Sequence, residues 1–343
     1  MVESSMRNWI CILVLYLGGM SGSYSQEIKN LQSGTKTSIR GLSVVDNSVA
    51  WLSGSNGWTS VTTDGGSTWK WKQIPGYEKF DFRDIEAFSG TDAIIVNAGS
   101  PAVILLTDDG GFTWTEVYRN ESADIFLDGM DFQDRSRGVI YGDPIGGKMQ
   151  LLRTNDGGTN WENISDNLKV NLKEGEASFA ASGTGIRALK NGKLFIVSGG
   201  IQSRIFVSEN FGTNWNVYPC PIIQGKNSTG PFSVAFKNNK RGVAAGGDYL
   251  SDTSSINNFV LTKSGGKTWY KPLTAPFGYK SSVEYISSKV LITTGTSGTD
   301  ISRDGGTNWV KLADEGYNVV RKAKNGSLVL LAGANGKVAI FQN

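Results

Sequence analysis

The stretch TTDGGSTW, residues 62–69, decides the fold, because the chain repeats it five more times. It returns as TDDGGFTW (107–114), TNDGGTNW (154–161), SENFGTNW (208–215), TKSGGKTW (262–269) and SRDGGTNW (302–309). Ser or Thr at the first position and Asp at the third can accept or donate hydrogen bonds within a tight turn, and Gly supplies the positive φ that such a turn demands. The Trp that closes each copy returns to the core. Successive Trp residues lie 45, 47, 54, 54 and 40 positions apart, a period that belongs to solenoids and propellers.

The residues upstream of each turn name the element type. Before the second turn the order is FRDIEAFSG (82–90), TDAIIVNAG (91–99) and AVILLTDDGG (102–111), and after it FTWTEVYRN (112–120). These are four short runs of β-branched and aromatic residues punctuated by Gly and Asn, hence a four-stranded antiparallel meander per repeat. No sustained helical period occurs after the first 25 residues.

Six copies carry the turn and a seventh is partial. The runs VVRKA, SLVLLAG and KVAIF near the C-terminus supply three strands, and EIKNLQ (27–32) reads as an orphan outer strand. Pairing the two closes a ring of seven blades at about 45 residues each. The expected fold class is therefore all-β, a seven-bladed β-propeller of four-stranded antiparallel blades closed by its N-terminal strand on the C-terminal blade.

Residues 1–25 read separately. Arg7, the apolar run WICILVLYL (9–17), and small Ser23 and Ser25 form a secretory signal pattern with cleavage after Ser25, too short for a permanent span. The expected domains are thus a signal peptide at 1–25 and the propeller at 26–343, in a periplasmic or secreted protein with no membrane span after cleavage. Cys11 lies inside the apolar run, which disfavours a lipid anchor. Cleavage would leave Cys220, between Pro219 and Pro221, as the single Cys, so packing and not a disulfide must hold the fold.

Composition excludes several chemistries. The chain of 343 residues has no His, which removes Ser-His-Asp triads, Cys-His pairs and His-ligated zinc. Net charge is only +3 and scattered, so no nucleic-acid partner is expected.

The S/T-x-D-x-G-x-T-W form resembles the Asp-box (BNR) repeat of sialidases, xyloglucan-degrading hydrolases, sortilin-type receptors and the photosystem II stability and assembly factor family. The stretches RGLSVVD, FRDIEAF, GEASFAASGTGIRAL and PIIQGKNSTG also resemble exported proteins of Bacteroidetes-type bacteria that carry an oxidoreductase or assembly-factor-like label. The resemblance implies a propeller. Function does not follow from it, since enzymes and binders share the box.

Asp64, Asp109, Asp156 and Asp304, with Asn210 and Ser264 in the two departing copies, are expected to be structural, as are Trp69, Trp114, Trp161, Trp215, Trp269 and Trp309. Candidate ligand-binding residues are charges on or before inner strands, which escape burial only by facing the channel: Arg40, Arg83, Asp84, Asp128, Arg187 and Lys280. The connections on the face opposite the boxes add Asp143, Glu176, Lys226 and Asp248, and Glu284 and Tyr285 complete the set. All are expected around one funnel, with no catalytic residue and no metal or other cofactor among the assignments.

The leading expectation is a non-catalytic recognition or assembly propeller, a monomer that binds an envelope protein, peptide or glycan at the funnel. A glycosidase using funnel carboxylates is the alternative, though the Phe/Tyr-Arg-Ile-Pro signature of sialidases is missing. An oxidoreductase is the second alternative. It lacks a G-x-G-x-x-G strand-to-helix unit, which leaves a quinone held by Arg and Asp, and any divalent ion would need oxygen ligands.

Overall fold

A computed structural model describes residues 26–342. The expected leader, 1–25, lies outside the described residues. Seven antiparallel sheets surround a channel, and each begins with an inner strand: Ile39–Val44, Phe82–Ala87, Leu127–Phe132, Ile186–Ala188, Thr229–Phe236, Ser282–Tyr285 and Val319–Lys322. These strands head blades one to seven in chain order. The ring closes where Glu27–Leu31 pairs antiparallel with Val338–Gln342, in a register running from Glu27 opposite Gln342 to Leu31 opposite Val338.

Five blades have four strands, and the fourth has five, its inner strand being in two pieces, Glu176–Ala177 and Ile186–Ala188, that both pair with Leu194–Gly200. The fifth has three, Thr229–Phe236, Gly242–Asp248 and Phe259–Thr262, with its outer strand reduced to a bridge between Leu261 and Tyr270. Leu261 and Tyr270 exchange both backbone hydrogen bonds at 2.9 Å. The next such rung would fall two residues on, at Pro272, which has no N–H to donate. The ladder stops there.

The core is divided among the spaces between blades. Seven apolar clusters each join one blade to the next, and six of them include the Trp that ends a repeated turn. Trp69 packs across the closure beside Leu31 and Leu330, and Trp309 meets Phe259 with ring centroids 4.8 Å apart. Sequence period and packing have the same origin. One turn delivers one aromatic side chain into each of six inter-blade spaces.

Among the described residues no helix is long and apolar enough to cross a membrane.

Candidate functional site

The repeated turns are built from short-range hydrogen bonds. Thr62 Oγ1 accepts from the Gly66 N–H at 3.0 Å, and the Asp64 carboxylate accepts from the Thr68 N–H at 2.8 Å. The Thr68 hydroxyl and backbone hold Asp64 down to about 2, and Thr113 does the same for Asp109. The departing copies keep the bond: Asn210 Oδ1 accepts from Asn214 N and Ser264 Oγ from Thr268 N, each at 2.9 Å. In the fourth copy Phe211 stands where the others have Gly and adopts a φ of 54°.

Strand register sorts the channel-facing residues into tiers. Four inner strands carry an irregularity near their start, between Ile39 and Gly41, Phe82 and Asp84, Leu127 and Gly129, and Pro231 and Ser233. The extra residues are Arg40, Arg83, Asp128 and Phe232. A bulge re-aims the side chain of its unpaired residue. Here all four line one mouth of the channel, joined there by Ser281 and Asn318 from the corresponding places in blades six and seven.

This upper mouth holds a cavity of about 530 Å³. Two cations stand on one side. Arg83 is tied to Asp81 (Nε to Oδ2, 2.7 Å), whereas Arg40 donates to the Ala181 carbonyl at 3.2 Å and has no carboxylate within ion-pairing distance among the described residues. Burial, and then the neighbouring Arg83 charge, pull the Arg40 pKa down. Aromatic rings form the other wall: Phe179 stacks on Phe232 at 3.9 Å, and Tyr279 meets Phe232 edge-on at 4.8 Å, with Tyr249 beyond. Phe126 lies under Arg83, 5.9 Å from guanidinium carbon to ring centre.

Two carboxyls belong to this mouth. Asp128 is 1% exposed, and neither of its oxygens has a hydrogen-bond partner among the described residues. Burial, reinforced by Asp143 and opposed by Arg83, pushes its pKa well above the usual carboxylate range. Asp143 accepts from the Ser178 N–H at 2.9 Å and is raised by burial as well.

Arg187, Glu284 and Tyr285 are elsewhere, contrary to the expectation of one funnel. They line a separate polar cavity of about 620 Å³ at the opposite mouth, with Glu86, Asp131, Arg321 and Lys324. Ser43, Glu86, Asp131, Arg187, Glu284 and Arg321 hold equivalent places, three residues after Arg40, Arg83, Asp128, Thr184, Ser281 and Asn318. Three residues of strand are roughly 10 Å, enough to move from one mouth to the other. The residue matching Arg40 in blade four is thus Thr184, not Arg187.

The lower tier is self-paired. Arg187 Nη2 reaches Glu284 Oε2 at 3.1 Å and its Nε lies 3.8 Å from Asp131; Arg321 Nη1 is 3.9 Å from Glu284, and Lys324 pairs with Glu86 at 2.5 Å. Burial works against the Arg187 charge, but Glu284 and Asp131 outweigh it and raise its pKa.

Three further expectations are corrected. Asp84 lies between the tiers, where the Met130 and Ile85 N–H groups donate to it at 2.7 and 2.9 Å, and burial raises it to about 7. A Cβ at Gly183 would fall 2.2 Å from its carboxyl carbon, so glycine makes room for it. Glu176 is folded back onto Arg204 and Ser198, with its side chain fully buried. Lys280 does not reach the channel: it is fully buried and pairs with Asp300 at 2.5 Å. It precedes the channel-lining Ser281 by one residue, and one residue along a strand changes the face. At the upper rim Lys226 and Asp248 pair at 3.6 Å, beside Tyr249.

Phe126, Phe179, Phe232 and Tyr279 of the aromatic wall escaped the sequence reading. Their signal was an aromatic residue on or just before an inner strand, as at Phe126 and Phe232, which reads equally well as core.

Residues 21–123 match the family model described as photosynthesis system II assembly factor YCF48. The photosystem II assembly lipoprotein Ycf48 of Synechococcus sp. (strain CC9902) is 30% identical over 169 residues, 46% of this chain. The match spans 48% of that relative, about half its length. A solved structure of YCF48 bound to D1 peptide aligns with TM-score 0.68 and 16% identity, over 92% of this chain and 97% of that one. YCF48 from Cyanidioschyzon merolae aligns with TM-score 0.61 at 16% identity, over 92% and 99%. Repeat, ring and these likenesses make the chain a seven-bladed Asp-box propeller that resembles the photosystem II assembly factors.

Proposed function

We propose that the chain is a non-catalytic assembly or recognition propeller, acting outside the cytoplasm, that holds a segment of another protein in the upper mouth. The observation that carries this reading is Arg40, a largely buried guanidinium without a carboxylate partner among the described residues, beside a second arginine and facing an aromatic wall. An uncompensated cation in such a place is stabilised by an anionic group arriving with its ligand. The aromatic rings supply apolar area and the arginines orientation, the usual division of labour in a binding cavity. The D1 peptide bound to the structurally similar YCF48 is a ligand of this same class.

Hydrolysis has less support. A glycosidase sets its two carboxyls apart by giving them contrasting environments, whereas burial shifts Asp128 and Asp143 in the same direction.

The test is capture of envelope proteins by the purified chain, followed by titration of synthetic peptides from whatever is captured. Arg40→Ala should weaken peptide binding about tenfold or more, and added salt should weaken it further. Unchanged affinity in both Arg40→Ala and Arg83→Ala would remove the upper mouth from the function.

A further inference from the structure

The seventh blade lacks a repeated turn, and among the described residues the space between it and the sixth blade lacks a tryptophan. In the second blade Thr115 pairs with Leu106 and Trp114 is the residue before it. In the seventh, Lys29 pairs with Ile340, so the residue before it, Ile28, stands in the tryptophan's place, opposite Phe341. The cluster joining blades six and seven is accordingly the one without a Trp. Beside it lies a groove of about 470 Å³ whose apolar lining is Ile286, Val290, Leu328, Val329, Ile340 and Phe341.

We propose that this groove is a second binding site, which accepts a tryptophan side chain presented by an extended segment of a partner polypeptide. Six internal copies of the same space define the occupant: each is filled by an indole ring entering from the residue that starts or precedes an outer strand. A smaller aliphatic side chain at the seventh leaves room for that ring. Charge extends the description of the partner. Ile286, Ser287 and Lys322 line both the groove and the lower polar cavity. Lys322 forms no ion pair among the described residues, while the acidic members of that cavity are each paired with Arg or Lys. The segment therefore carries an acidic residue next to its tryptophan. Asn47, Ser287 and Ser327, from the turns on the box side, border the groove, so it opens on the face opposite the upper mouth and both sites can be filled at once.

The chain contains its own probe. The capped, fluorescein-labelled peptide TNDGGTNWEN, residues 154–163, places Glu162 after Trp161. Anisotropy titration of the full chain should show saturable binding, weakened about tenfold when alanine replaces the peptide's tryptophan. Ile28→Trp fills the groove from within and should abolish binding; Val290→Trp does so from the other wall if the first variant folds poorly. Lys322→Glu should weaken binding severalfold, and Arg40→Ala should leave it unchanged. No binding at millimolar peptide overturns the proposal. So does a peptide that loses affinity with Arg40→Ala but not with either groove-filling variant, which would place it in the upper mouth.

Discussion

Arg187 of the fourth blade donates across the channel to Glu284 of the sixth, Nη2 to Oε2 at 3.1 Å, although 97 residues separate them. Their side chains are 17% and 14% exposed, and Asp131 and Arg321 extend the network to the third and seventh blades. Four blades are thereby tied at one mouth. Deleting one member of such a network leaves its partner charged and poorly solvated, which costs roughly 3 kcal/mol. Urea unfolding of Arg187→Ala should show that loss, with binding at the upper mouth intact. A variant as stable as the parent would mean that solvent already compensates Glu284.

Trp309 is 3% exposed and donates from Nε1 to the Gly306 carbonyl at 3.0 Å. Trp309→Ala opens the space between blades five and six and should lower stability by roughly 3–5 kcal/mol, read from denaturant midpoints. A loss below about 1 kcal/mol would show that the turn, not its anchor, organises the blade interface.

Stability should fall as pH rises from about 4, the unfolded aspartate range. Asp128 and Asp84 are both raised by burial, Asp84 to about 7. Between the unfolded and folded pKa values the unfolded chain has released these protons and the native chain has kept them, so raising pH favours unfolding. Once pH passes the folded values the trend levels off. Asp128→Asn should flatten the slope, measured as unfolding free energy from about pH 4 to about pH 8. An equally steep slope in that variant would place the protons on other groups.

The ring depends on five N-terminal residues. Removing Glu27–Leu31 strips the outer strand from Val338–Gln342 and exposes an unpaired edge, a template for association between chains. Light scattering after size exclusion should show concentration-dependent oligomers, and the melting temperature should drop. A truncated chain that stays monomeric and melts unchanged would mean that the blade closes without its fourth strand.

Blade number, ring closure and the turns were all legible in the order of residues. Each follows from short-range chemistry repeated at a fixed period: a hydroxyl and a carboxylate closing a glycine turn, then an indole that returns to the core. Even the irregular fifth blade is written locally, at Pro272. The channel was not legible. Arg40 and Arg187 look alike beside their apolar strands, yet register places one at the upper mouth and the other at the lower. Lys280 and Ser281 differ by one position, and only the second faces the channel. These matters were settled by the packed blades, because a bulge or a one-residue slip changes the direction of a side chain without altering the hydrophobic pattern from which strands are read.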